Sequence, residues 1–212
     1  MIKKSAIGIS ALMHPLLMTT YLFALLFFYA PSITRPLSPT AANYILLALL
    51  ITTFVLPLVS IAALRFSTFK ATSNITALSL PTRQERVLPF FFTSLFYLIT
   101  TYMFLVKFRV NLVLVVILGG ATALILLVSA TTLITKVSAH ASGGGAMVGF
   151  LAGLSIRYPQ NYLFIPLLVA VVLMGGVMSA RLYLNLHSAK SVWLGAGLGV
   201  GISLAAILLF VE

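Results

Sequence analysis

Of 212 residues, 61% are hydrophobic and 7% charged, with a mean hydropathy of +1.18, a composition that excludes a soluble globular chain and places this one in a bilayer. The net charge of +11 comes from 13 Lys and Arg scattered singly between apolar stretches, which excludes a nucleic-acid-binding arm and points to phosphate-bearing lipids as the anionic partner. Cysteine and Asp are absent, and Glu85 and Glu212 are the only carboxylate side chains, which excludes disulfides, thiolate catalysis, paired-carboxylate chemistry and a dedicated metal cage; no cofactor is expected.

The chain opens on Met1-Ile2-Lys3-Lys4 and an apolar run, in the manner of a signal peptide. Pro15 interrupts that run, apolarity continues to Ala30, and no small-residue cleavage site follows, so a retained first span is expected. A bilayer core needs about 20 apolar helical residues. On that basis the spans fall at roughly 7–30, 43–64, 88–106, 111–134, 142–157, 162–180 and 191–211, one integral membrane domain over 1–212. The fold class is all-α, a polytopic transmembrane helical bundle of six to seven spans, and the expected setting is the inner membrane of a bacterium.

Between spans, the proline-rich 31–42 connection reads as an extended loop, and Lys107-Phe108-Arg109 and Arg157-Tyr158-Pro159-Gln160-Asn161 as tight turns. Phe90-Phe91-Phe92 and Tyr97 read as lipid-facing or interfacial surface. Gly195, Gly197, Gly199 and Gly201 form overlapping G-x-x-x-G patterns, read as intramolecular helix packing. His14, before Pro15, is expected at a helix kink with its ring hydrogen-bonded, apart from any site.

Crossing parity places the N-terminus, the 65–88 loop, the 135–141 junction and the 181–190 junction on one face. Nine basic residues lie there against four on the other, which by the positive-inside rule makes this face cytoplasmic. With Arg83, Arg86, Lys136 and Arg181 set aside for binding, the balance is five against four and the orientation stays open.

That face collects two polar clusters, Lys136-Val137-Ser138-Ala139-His140 and Ser179-Ala180-Arg181 followed by His187. Polar groups are costly near lipid and mark function by default. Imidazoles with cations suit phosphoryl transfer: the cations neutralise phosphate, one ring attacks, and another protonates the leaving oxygen.

Taken together, the clusters resemble the type 2 phosphatidic acid phosphatase superfamily, whose signature is K-x6-R-P, then P-S-G-H, then S-R-x5-H-x3-D. Arg181 and His187 keep the five-residue gap of the third part, while Ser179 is displaced by one and Ser191 stands where the family has Asp. Ser138 and His140 match the second part, with Val137 and Ala139 replacing its proline and glycine, and Gly143-Gly144-Gly145 then read as opening a helix whose amides face an anion. Thr82-Arg83-Gln84-Glu85-Arg86-Val87-Leu88-Pro89 is the counterpart of the first part.

The resemblance implies a metal-independent lipid phosphatase acting on a lipid phosphate or diphosphate through a phosphohistidine. It implies His187 as nucleophile, His140 as acid, Arg86, Lys136, Ser138 and Arg181 as the phosphate cradle, and Ser191 as an orienting group for His187. Glu85 either replaces the missing Asp or pairs with Arg83 or Arg86. The partners implied are the lipid phosphate and membrane lipids, with no nucleic acid. Two rivals stay open: a lipid-phosphate-binding homologue without turnover, and a small anion or lipid transporter in which Gly119-Gly120 or Gly175-Gly176 break helices.

Overall fold

A computed structural model describes residues 2–68, 83–108 and 110–212, with side-chain environments for 3–64, 88–108 and 110–212; its regular elements are helices. They are α1 (Ile2–Leu12), α2 (Met18–Tyr29), α3 (Pro39–Leu49), α4 (Leu56–Thr68), α5 (Arg83–Tyr102), α6 (Leu112–Ile134), α7 (Ala139–Arg157), α8 (Phe164–Tyr183) and α9 (Ala189–Phe210). Among the described residues, six helical stretches are long and apolar enough to cross a bilayer: Lys3–Tyr29, Pro39–Leu64, Leu88–Phe108, Leu112–Ile134, Phe164–Tyr183 and Ala189–Phe210. This is the organisation of an integral membrane protein.

The glycine-rich α7, 19 residues and about 28 Å long, is the seventh helix of the bundle. Residues 141–146 are buried without interruption, and Leu151 and Leu154 are fully buried further along. A Cβ on Gly145 would meet the Ala196 carbonyl at 2.5 Å, one on Gly149 the Val200 carbonyl at 2.5 Å, and one on Gly153 the Ile207 side chain at 2.7 Å. The two sequences advance together, so α7 and α9 run parallel and α8 returns between them. Glycine at this seam lets two backbones touch where any larger residue would hold them apart.

Gly143, Gly144 and Gly145 do not open the helix at an anion. The helix begins four residues earlier, at Ala139, and these glycines pack its interior turns against Pro15 and Met18, Met174, and α9 respectively. Gly195 and Gly199 face α7, whereas a Cβ on Gly197 or Gly201 would meet nothing. Gly119-Gly120 and Gly175-Gly176 lie inside the uninterrupted α6 and α8.

Several buried threonine hydroxyls find partners on their own helices, as lipid offers none. Thr53, Thr93, Thr100, Thr122 and Thr132 each donate to the carbonyl four residues earlier, at 2.7–2.8 Å. Tyr97 faces inward, 1% exposed, with its hydroxyl 3.1 Å from Thr19 Oγ1. Its place is therefore the core and not the lipid surface, because a phenol with a partner on α2 is satisfied only there.

Proline sets two irregularities. Before Pro15 the backbone of His14 is extended (φ −64°, ψ 130°), as the ring demands, and the first span breaks into α1 and α2 around a 3-10 turn over Pro15–Leu17. Pro57 lacks the N–H that residue 53 would receive, and the preceding Leu50–Val55 widens into a π-helical turn, Leu56 N donating to Ile51 O. The 31–42 connection is shorter than an extended loop: turns occupy 31–36, and Ser38 caps α3 by accepting from Ala41 N at 3.2 Å. Lys107 and Phe108 continue a π-helical end of α5 (Met103–Phe108) and are not in a turn, whereas 158–162 is one, with Tyr162 left-handed.

Candidate functional site

The segment 135–138 leaves α6 extended, and Ser138 starts α7 as its cap, Oγ accepting from Ala141 N at 3.4 Å. Ser138 is fully buried, and its own N–H donates to the Ser191 carbonyl at 3.1 Å. Ser188 caps α9 in the same manner, accepting from Ser191 N at 3.3 Å, and Ser191 Oγ lies 3.0 Å from His187 Nδ1. Ser191 thus ties the two polar clusters together, through its carbonyl to one and its hydroxyl to the other.

In the first turn of α7, the half-buried His140 places Nε2 3.1 Å from the Ser10 carbonyl. A carbonyl only accepts, so Nε2 carries the hydrogen and Nδ1 is left for other chemistry. The His14 ring stands edge-on to His140 with centroids 5.7 Å apart, and Phe54 from the π-helical turn packs against its other side at 5.9 Å. Arg181 comes from the last turn of α8, against which α1 packs. Its Nε is buried and has no hydrogen-bond partner among the described residues.

Ser10, His14, His140 and Arg181 all line one cavity of about 840 Å³, with Lys3 at the exposed end. Its other walls are apolar, among them Leu22, Leu58, Phe90, Leu124 and Phe150, with Tyr97 and Thr19 deeper in. Glu212, beyond the far end of α9, is the one carboxylate among the residues whose side-chain environments are described, so none of those side chains sets an acid against the cationic head of the cavity. Such a chamber suits an amphiphile with an anionic head.

Of the residues singled out from sequence, His140 and Arg181 line the cavity. His187 is half-buried behind it, near enough to His140 for their charges to interact, while its neighbours Leu184 and Leu186 form the wall. Lys136 is exposed on the 135–138 segment and does not line the cavity; nor does Ser138, whose hydroxyl is the helix cap. The Arg83, Glu85 and Arg86 side chains lie outside the described residues. Sequence reasoning set His14 apart and passed over Ser10. The kink at His14 is present, its Nδ1 accepting from Leu16 N at 3.4 Å, but the same break also carries the ring to His140. The signal was the His-Pro pair on the face that parity had already assigned to both clusters. No group of three or more metal-ligating side chains occurs among the described residues.

Fold and cavity together define a class: an all-helical membrane protein enclosing an apolar chamber with a cationic, histidine-bearing head. The chain matches no protein-family model, no curated protein and no solved structure.

Proposed function

We propose that the protein is a membrane-embedded lipid phosphatase that takes a lipid phosphate or diphosphate with its head at Arg181 and His140 and its tail along the apolar walls. The observation that carries this reading is the unpartnered, buried Arg181 Nε at the head of an otherwise apolar cavity. A guanidinium there lacks a counter-charge among the described residues, and a phosphate supplies one with bidentate geometry.

With Nδ1–H of His187 donating to Ser191 Oγ, Nε2 presents its lone pair to phosphorus. Attack forms the N–P bond as the P–O bond to the lipid breaks, and the leaving oxygen takes the second proton that His140 acquires on Nδ1 when the anionic phosphate binds, Nε2–H staying on the Ser10 carbonyl. Water then attacks phosphorus and yields its proton to His140, releasing phosphate and restoring both rings. Arg181 neutralises the charge on the equatorial oxygens throughout. Ser138 serves the site by fixing the start of α7, and the exposed Lys136 adds positive charge to the same face without lining the cavity.

A second reading, a lipid-phosphate binder without turnover, is favoured by two features: Ser191 offers His187 a hydroxyl and no carboxylate, and His187 stands behind the cavity wall. One assay separates them. Purified protein in EDTA, given micellar phosphatidate, phosphatidylglycerol phosphate or a polyprenyl diphosphate, is expected to release phosphate, and His187→Ala to abolish the release. Normal turnover in that variant removes the phosphohistidine route; no turnover with retained binding leaves the binder.

A further inference from the structure

The first span brings two groups to the cavity that the scheme above leaves unused. Ser10 is 7% exposed and lines the chamber, and its Oγ has no hydrogen-bond partner among the described residues. Arg181 Nε, on the same chamber, is in the same condition. Buried polar atoms are nearly always satisfied, and of the five unpartnered buried side-chain atoms among the described residues, Ser10 Oγ and Arg181 Nε are the two that line this cavity, where one ligand can satisfy both.

The backbone of Ser10 is already committed, since its carbonyl receives His140 Nε2–H. The residue therefore positions the His140 ring with its main chain while its hydroxyl stays available. His14 has a parallel division of labour. Its Nδ1 accepts from Leu16 N, so the neutral ring carries its hydrogen on Nε2, a donor on the same cavity and beside His140. The His14 arrangement depends on Pro15, which forces the break that leaves Leu16 N to be capped by a side chain.

We infer that Ser10 and His14, carried by the break in the first span, are further ligands of the anionic head bound by Arg181, Ser10 Oγ–H and His14 Nε2–H each donating to a phosphate oxygen. This rests on the lipid-phosphate reading of the cavity. It makes the first span part of the binding site, with α1 held to α8 through the ligand as well as through packing, and it draws the donors from different helices so that they converge on a tetrahedral anion.

The test is calorimetric titration of the full-length protein in detergent with dioctanoyl phosphatidate. Ser10→Ala keeps the carbonyl that holds His140 and removes only the hydroxyl; His14→Asn keeps an acceptor for Leu16 N and removes the Nε2 donor. Each is expected to weaken binding roughly tenfold or more, as for a hydrogen bond to a charged group, and Arg181→Ala at least as much. Wild-type affinity in Ser10→Ala and His14→Asn, with loss in Arg181→Ala, overturns this inference alone. Unchanged affinity in Arg181→Ala overturns the lipid-phosphate reading and this inference with it. Ser10→Cys, nearly isosteric and a weak donor, is expected to lose affinity as Ser10→Ala does; wild-type binding there would assign the loss to packing and overturn the proposal. Inorganic phosphate in the same titration is expected to bind far more weakly, with the same order of losses, and equally tight binding would overturn the assignment to a lipid head.

Discussion

His187 Nδ1 and Ser191 Oγ lie 3.0 Å apart across the first turn of α9, the place where a histidine nucleophile would keep its orienting carboxylate. A hydroxyl fixes the ring but adds no charge to oppose the cation that develops on phosphorylation. Ser191→Asp is therefore expected to raise phosphate release about tenfold, given the large effect of carboxylates in His-carboxylate pairs. A carboxylate suits this third residue of α9, next to the helix N-terminus. Initial rates on lipid phosphate micelles check it; a lower rate at an unchanged melting temperature would remove the orienting role from this position.

Arg181→Ala should raise KM about 30-fold, since the proposed phosphate head would lose a charge-assisted, bidentate contact worth roughly 2 kcal/mol. Arg181→Lys should recover part of that loss, because the charge returns without the fork geometry. Steady-state kinetics across the three proteins would expose a contrary result as equal KM values.

The α7–α9 seam offers a stability test that does not touch the chemistry. A Cβ on Gly149 would meet the Val200 carbonyl at 2.5 Å, whereas one on Gly197 meets nothing. Gly149→Ala is expected to destabilise by about 2 kcal/mol through overpacking, and Gly197→Ala to be neutral or to stabilise by about 0.5 kcal/mol through helix propensity. Thermal melts in detergent read both, and the order of the two melting temperatures decides.

Tyr97→Phe removes the hydroxyl that meets Thr19 at 3.1 Å in the core. A loss of about 1 kcal/mol is expected, as for interhelical hydrogen bonds in membranes. Turnover should stay within about twofold of wild type, because the scheme routes no proton through this pair. A collapse of kcat at unchanged stability would instead assign the phenol to the chemistry.

Phosphate release should be insensitive to EDTA. The donor set explains this: the chain has no cysteine and two carboxylates, and the imidazoles of His14 and His140 are already engaged with Leu16 N and the Ser10 carbonyl. Loss of activity in chelator that returns with a divalent cation would contradict it.

Hydropathy alone made the helical, membrane-spanning architecture legible, because a bilayer leaves a chain few ways to satisfy its backbone and the span length follows from its thickness. The α7 helix was legible as the apolar stretch 142–157, although it begins earlier, at Ala139. Parity also brought the 135–141 and 181–190 junctions to one face, where the structure joins them through Ser138 N and the Ser191 carbonyl. What failed were readings of local orientation. Tyr97 looked interfacial until Thr19 supplied a partner, and Gly143-Gly144-Gly145 looked like a helix opening when they are a packing surface.

The sequence by itself determined the bilayer as solvent, the helical architecture and the types of side chain available for chemistry, since these depend on composition and on spacing along one chain. Only the tertiary structure decided which of those side chains share a cavity. Ser10 and His14 from the first span, His140 from α7 and Arg181 from α8 meet because Pro15 breaks the first span and glycines let α7 lie against α9. Contacts between helices depend on the rotation of each about its axis, and packing against neighbours sets that rotation.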